Sequence, residues 1–252
     1  MMGEELNSSY VTERGLLGDR TFALVDRLTG KVASAKNPLK WGRLFDCRAS
    51  FVDSPQLGRT LPGVRISLPD GNAVASDQLG TDDLLSKALG AQVNLTMSPS
   101  EEPTYEEYWP DIEGRPNRDT LTDEFMPPHT FFDLATLHLL TTATMDRLRE
   151  LYPEGRFEAR RFRPNLVVEN SDAAKGFAEE GWIDRALQIG EVRIRITRPC
   201  SRCVMTTLAQ GDLPQDLGIL RTAARYSQAK VGVYASVEKG GRIRRGDSVW
   251  VD

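Results

Sequence analysis

Val192-Arg193-Ile194-Arg195-Ile196-Thr197-Arg198-Pro199-Cys200-Ser201-Arg202-Cys203-Val204-Met205-Thr206-Thr207 is the stretch on which the rest of the chain is read. Val192, Ile194 and Ile196 alternate with arginines, the period of a strand with one buried face. A strand in that register delivers the residues that follow it to a sheet edge, where a ligand can be met. Those residues hold two of the three cysteines in a chain of 252. Arg198 and Arg202 flank the thiols. A guanidinium close to a thiol favours the thiolate, which is the form that acts as nucleophile or soft-metal ligand. The segment therefore reads as a positively framed thiolate at a strand end, with Val204-Met205-Thr206-Thr207 continuing as strand.

Upstream, Gly15-Leu16-Leu17-Gly18-Asp19-Arg20 leads into a strand, Thr21 to Val25, with Asp26 to Gly30 as the turn and Lys31 to Ser34 returning. A second hairpin is expected at Val64 to Leu68, closed by Pro69-Asp70-Gly71-Asn72. Thr81 to Gly90 reads as a short helix, with Thr81 as its N-cap and Gly90 as its stop. Val93 to Leu95 is a further strand. Short strands with turns between them suggest a small barrel or sandwich. From Ser98 to Pro128 no period is visible and the chain reads as a long surface loop. Phe131 to Leu140 is expected as a strand, followed by a helix capped at Thr141 or Thr142, with Met145, Leu148 and Leu151 on its apolar face. Arg160 to Asn165 leads into the strand Leu166 to Val168. Downstream of the cysteines, Pro214 to Arg225 is helical, and Val231 to Val237 and Ser248 to Val251 are strands. The fold class is mainly β with short helices, α+β overall. Two units are expected, residues 1–98 and 99–252.

The totals exclude several classes. Hydrophobic residues at 40% and charged residues at 27% are ordinary for a globular protein. A net charge of -4 argues against a nucleic-acid coat, so basic clusters are local anion sites. Three cysteines make no disulfide framework. No apolar run approaches the roughly 20 residues that span a bilayer, and Met1 to Leu6 lacks the pattern of a signal peptide. No nucleic acid and no membrane are expected as partners, and the expected location is the cytoplasm.

Cys200-x-x-Cys203 has several readings on its own. A structural zinc site needs four ligands, and the remaining candidates are Cys47, His129 and His138. A thioredoxin-like dithiol opens a helix, which Val-Met-Thr-Thr does not favour. Two buried thiols at a strand end are the plain alternative. Arg20 and Arg163 each lie beside a strand, where a guanidinium can clamp a phosphate bidentately or form a surface salt bridge. Asp133 is a ligand contact or a helix cap, and Tyr234 a contact or core.

Taken in order, Gly15-Leu16-Leu17-Gly18-Asp19-Arg20, Phe162-Arg163-Pro164-Asn165, Pro199 to Thr207 and Gly246-Asp247-Ser248-Val249 resemble the landmarks of the MOSC family, the molybdenum-cofactor-sulfurase C-terminal-type domains, with their N-terminal β-barrel partner. Within it the chain looks most like bacterial relatives of the mitochondrial amidoxime-reducing component. The resemblance implies a MOSC-type β-barrel with a smaller N-terminal β-barrel subdomain. It also implies a molybdenum cofactor (Mo-molybdopterin) whose metal is held by Cys203, a soft ligand suited to a dithiolene-bound metal, with Cys200 outside the first shell. Arg20, Arg163 and Arg202 would face the phosphate and pterin, Asn165 and Ser201 would hydrogen-bond the pterin, and Asp133 and Tyr234 would line the metal end.

The implied activity is that of an oxidoreductase acting on small N-hydroxylated substrates, amidoximes and hydroxylamines. Electrons would come from a separate protein, a ferredoxin, a flavodoxin or a cytochrome b5-like donor with its reductase. The chain itself has neither a ferredoxin-like cysteine cluster nor a flavin or nicotinamide fingerprint. Family members usually open with a Tyr-Pro-Val-Lys-Ser-like strand, and here the chain begins where that segment ends. The expectation is a native start further upstream. Two other functions fit the residues: a carrier that delivers cofactor or sulfur without turnover, and a thiol-redox protein using Cys200 and Cys203.

Overall fold

The computed structural model describes residues 1–115, 117–170 and 175–252. The chain opens with an antiparallel pair, β1 (Ser8–Thr12) and β2 (Gly15–Leu16). Gly15 has φ +91°, and a Cβ there would sit 2.7 Å from Thr136 O, so only glycine lets this turn lie against the residues that precede the central sheet. Strand β3 (Ala23–Asp26) and helix α1 (Pro38–Trp41) follow. Next come the meander β4 (Arg48–Phe51), β5 (Val64–Ser67) and β6 (Ala73–Ala75), helix α2 (Thr81–Leu89), and β7 (Val93–Thr96), which pairs with β3. Strands β8 (Thr104–Trp109) and β9 (Thr120–Phe125) form a hairpin. Then come β10 (Leu137–Thr141), α3 (Thr142–Leu151), α4 (Ala159–Phe162) and β11 (Leu166–Val168). The chain closes with β12 (Ala186–Ile189), β13 (Val192–Ser201), α5 (Gly218–Ser227), β14 (Lys230–Lys239), β15 (Gly241–Arg244) and β16 (Val249–Val251).

The mainly β, α+β expectation holds. The central sheet runs β11-β10-β14-β13-β12-β16, antiparallel except for β10 with β11, and is a curled half-barrel. Its inward residues, Leu137, Leu139, Leu187, Ile194, Ile196 and Val233, form one core. A second core gathers Trp41, Phe45, Ile66, Leu85 and Val93 from the first hundred residues, and it also takes in Val204 and Leu208. The chain just after Cys203 is thus anchored in the N-terminal core while the strand before it belongs to the central sheet. That seam positions the site. The division at 98/99 stays a proposal; β1 pairs with β15 from across it.

Several local expectations are corrected. Residues 98–128 are not a featureless loop, because β8 and β9 pair over six residues each. Tyr105 and Glu107 point to the same side of β8, and both are buried. A buried glutamate disguises the alternation. Val204–Thr207 is a 3-10 turn rather than a strand, because its residues are drawn into the N-terminal core instead of a ladder. Thr81 is not the N-cap of α2; Gly80 is, and the Thr81 hydroxyl donates to backbone oxygens of Ala75 and Gln78. Thr141 does cap α3, accepting from Thr144 N at 3.2 Å. The returning strand at 31–34 reduces to single bridges at Val32, and the strand expected from Phe131 begins at Leu137.

Candidate functional site

The site lies where β13 runs out. Its register against β14 slips between Ile196 and Arg198 and again between Pro199 and Ser201. Such irregularities bend a strand and re-aim its side chains. Cys200 is inside, 1% exposed, its thiol pushed up by burial. Cys203, two residues past the strand, is half-buried and is the one cysteine of the three that is not fully enclosed. Burial pushes its thiol up to about 12, with the Lys36 ammonium the largest influence acting the other way. This corrects the picture of a thiolate framed by arginines. The neighbouring cation is Lys36, and in the protein alone the thiol keeps its proton.

Arg202 does not frame the thiol because it is used up elsewhere. It is 8% exposed; Nε donates to Val231 O at 2.7 Å and Nη1 to Phe162 O at 3.1 Å, and Nη2 meets Val231 O and His138 Nε2. Burial and the Arg202 charge hold His138 well below the ordinary histidine range, so the ring is neutral and accepts from Arg202. Gly232, at φ +78°, makes room; a Cβ there would fall 2.5 Å from Leu139 O and closer still to His138. Arg161, absent from the sequence expectations, is the counterpart on the other side of the motif. It is 1% exposed and donates to the carbonyls of Arg156, Thr206, Leu208 and Pro214. Two buried guanidiniums therefore staple the backbone on either side of Cys203.

Arg20 and Arg163 behave differently. Both are non-glycine residues with positive φ, 49° and 53°, conformations that cost free energy and recur at functional sites. Arg20 pairs with Asp19 and lies 5.2 Å over the Phe132 ring. Arg163 has no carboxylate within salt-bridge range among the described residues; its Nη1 donates to Met1 O at 3.0 Å, and the guanidinium lies 5.7 Å over Phe45. Burial, and then the charge of Arg20, bring its pKa down to about 10. Arg163 is thus a half-buried cation whose charge the fold does not balance with a carboxylate among the described residues.

Asp133 is the link between the two ends. Its carboxylate is 3.1 Å from Lys36 Nζ. Burial opposes its charge, yet Lys36 and Arg20 hold it below the usual carboxylate range. Lys36 Nζ also meets Glu107 at 3.0 Å and the Tyr105 hydroxyl at 2.8 Å. Sequence reasoning missed Lys36, Tyr105 and Glu107; the one available signal was their proximity in type, a lysine before Asn-Pro and a Tyr-x-Glu pair, neither of which is specific. Tyr234 is buried, its ring edge-on to His138 at 6.0 Å with Arg198 5.8 Å above it. Ser201 is exposed at the strand tip, opposite Lys230. Asn165 is engaged at both ends of its amide: Oδ1 accepts from His138 N at 2.9 Å and Nδ2 donates to Asp19 at 2.7 Å. It ties the Gly18-Asp19-Arg20 turn to the start of the central sheet.

The mainly β domain thus carries a strand-end thiol at Cys203, an arginine without a carboxylate partner among the described residues at Arg163, and a carboxylate held by cations at Asp133. Residues 127–250 match the MOSC domain, so this part of the chain is a MOSC domain. It is 30% identical over 155 residues to mitochondrial amidoxime reducing component 2 of Homo sapiens, covering 55% of this chain and 44% of that protein. It is 28% identical over 158 residues to mitochondrial amidoxime-reducing component 1 of Homo sapiens, with 54% and 44% covered. A shorter match, 32% over 97 residues, links it to molybdenum cofactor sulfurase of Bos taurus, with 38% of this chain and 10% of that protein covered. The chain thus spans less than half the length of the curated relatives it matches. No described helix is long and apolar enough to cross a membrane.

Proposed function

We propose that the chain binds a molybdenum cofactor and reduces N-hydroxylated compounds such as amidoximes and hydroxylamines with electrons from a separate protein. The observation that carries this reading is the pairing of Arg163, a guanidinium with no carboxylate partner among the described residues, with Cys203, the one thiol not fully enclosed. The two are joined electrostatically through Asp133, which faces Arg20 and Lys36 and acts on both Arg163 and Cys203. The residues fit an anionic cofactor carrying a soft metal. Among the described residues no group of three or more His, Cys, Asp or Glu side chains is placed to hold a metal. A metal at Cys203 would therefore bring its other ligands with it, as a dithiolene does. The MOSC domain match and the molybdenum cofactor sulfurase match support the cofactor; the amidoxime-reducing relatives support the substrate class.

In this reading Arg163 and Arg20 take the phosphate end, where bidentate guanidinium contacts fix orientation. Cys203, once its proton is lost, would be the protein's ligand to the metal, whose positive charge would favour the thiolate. Asp133, paired with Lys36, would line the metal end. When bound, the cofactor supplies two-electron removal of that oxygen; two electrons and two protons turn an amidoxime into the amidine and water. The donor would be of ferredoxin, flavodoxin or cytochrome b5 type, since the chain's three cysteines make no cluster of its own. Cys203→Ala should abolish reduction of a simple amidoxime driven by a reduced viologen dye while leaving the fold intact; turnover retained in that variant would refute the assignment. The sulfurase match also favours a second reading, a carrier of cofactor or sulfur, and transfer of bound pterin to an apo-acceptor without turnover would select it.

A further inference from the structure

Arg115, Arg221, Arg225 and Lys230 gather beside the cleft that opens on Cys203, and none of them has a carboxylate within salt-bridge range among the described residues. Arg115 lines the cleft together with Trp109, Ile112 and Leu220. Its Nη1 donates to Gln228 O at 3.1 Å, and Lys230 Nζ donates to Gln228 Oε1 at 3.0 Å. Arg221 and Arg225 stand one turn apart on α5, both exposed, with Arg225 5.3 Å above the exposed Tyr226 ring. Gln228 and Ala229 hold positive φ, 55° and 58°. This turn ties the patch to the cysteine motif: Arg202 N donates to Ala229 O at 2.7 Å, and Lys230 sits opposite Ser201 between β14 and β13. The carboxylates of the neighbouring loop, Asp111, Glu113 and Asp119, are fewer than the cations, and Asp111 is already paired with Arg118.

We propose that this basic rim is the docking surface for the electron-donor protein, which presents an acidic face to it. The proposal rests on the cofactor-binding reading above. Helix stability accounts for Arg225, a cation in the last turn of α5, but not for Arg221, which gains nothing from the helix dipole and repels Arg225 one turn away. In a chain of net charge -4 a patch of unpaired cations makes a local field, and such fields steer charged partners to one face. The place suits electron transfer, because a donor seated on the rim lies against the cleft that Cys203 lines. Redox encounters use small, transient contacts in which charge sets the on-rate more than buried area does. The exposed Tyr226 ring adds an apolar contact. The reduced donor supplies two electrons, which with two protons turn the amidoxime into the amidine and water, and the donor leaves oxidised.

The experiment follows amidoxime reduction by wild type, Arg221→Glu, Arg225→Glu and Lys87→Glu, all expressed in a host that makes the cofactor. Two reductants are compared, a reduced acidic plant-type ferredoxin and a reduced viologen dye. Lys87, exposed on α2, controls for net charge. Ferredoxin binding to the same proteins is measured separately by titration calorimetry. With ferredoxin, kcat/KM should fall about tenfold in either rim variant, and in wild type as ionic strength is raised, with the ferredoxin Kd rising in parallel. With the dye, a small cation that needs no docking face, both rim variants should turn over at least as fast as wild type. Lys87→Glu should match wild type with both reductants. The proposal is overturned if ferredoxin-driven turnover ignores both salt and the rim variants, or if Lys87→Glu loses as much. An equal loss with dye and ferredoxin overturns it too, as does a wild type that takes electrons from the dye but not from ferredoxin. Tighter binding of a single-stranded oligonucleotide than of ferredoxin would give the rim to another partner and overturn it as well. Wild type inactive with the dye removes the cofactor reading itself and this inference with it.

Discussion

Two pairs of arginines differ in what they hold, one buried on backbone carbonyls and one half-buried with positive φ. Arg161 and Arg202 are almost fully buried, and their guanidinium nitrogens are taken up by backbone carbonyls, with His138 as a further partner of Arg202. Arg20 and Arg163 stand half-buried in strained backbone with positive φ, and Arg163 has only a carbonyl for a partner. The first pair is satisfied by the fold; in the second, Arg20 has Asp19 and Arg163 is left with one carbonyl. A guanidinium's role is read from which of its donors are already occupied, and nearness in sequence to the thiol is a poor guide. Arg202 sits next to Cys203 in the chain and turns its charge inward.

Removing a satisfied arginine should cost most. Arg202→Met leaves the carbonyls of Val231 and Phe162 and the His138 ring without their donor, and should destabilise the apoprotein by about 3 kcal/mol or more in urea unfolding. Arg202→Lys should not rescue it, because an ammonium cannot span the positions of a planar fork. A folded Arg202→Met with wild-type stability would erase the contrast between the pairs.

The buried carboxylate of Glu179 sharpens the same lesson with the opposite sign of charge. Its Oε2 accepts from Thr141 at 2.6 Å and Thr144 at 2.5 Å, while Oε1 is buried without a partner among the described residues. Burial pushes its carboxyl above the ordinary glutamate range despite those bonds. The folded state therefore holds the proton more tightly than the unfolded one. Stability from this group is full below the unfolded pKa and is lost as pH rises through the folded one. Within that window the slope is at most about 1.4 kcal/mol per pH unit. Glu179→Gln should flatten it; an unchanged pH profile would mean that the carboxylate is ionised in the fold.

The smallest effect on the apoprotein is expected at Arg163. Arg163→Gln relieves a cation already held down by burial and Arg20, so the empty protein should change by no more than about 0.5 kcal/mol or gain stability. Pterin content should fall sharply in the same variant. A large destabilisation of the apoprotein would place Arg163 with Arg161 and Arg202 as a staple.

The central sheet was legible because its strands alternate cleanly, as in Val192, Ile194 and Ile196, and because Thr141 carries an ordinary cap signal. Cys203, Arg20, Arg163 and Asp133 were picked out by a resemblance carried by several landmarks in order, since each alone reads equally as a buried thiol, a salt bridge or a cap. The β8–β9 hairpin could not, since Glu107 occupies an inward position that a strand pattern reserves for an apolar residue. The turn at 204–207 was hidden for the converse reason: Val-Met-Thr-Thr suits a strand locally, and only packing against the N-terminal core makes it coil. Lys36 needed both pieces in place before its partners could be seen, because they are 71 and 97 residues away along the chain.

The decisive measurement is molybdenum and pterin per protein in wild type, Cys203→Ala and Arg163→Gln. Both should be near stoichiometric in wild type, with metal lost but pterin largely kept in Cys203→Ala and both reduced in Arg163→Gln. Equal molybdenum in wild type and Cys203→Ala, or equal pterin in wild type and Arg163→Gln, would contradict it.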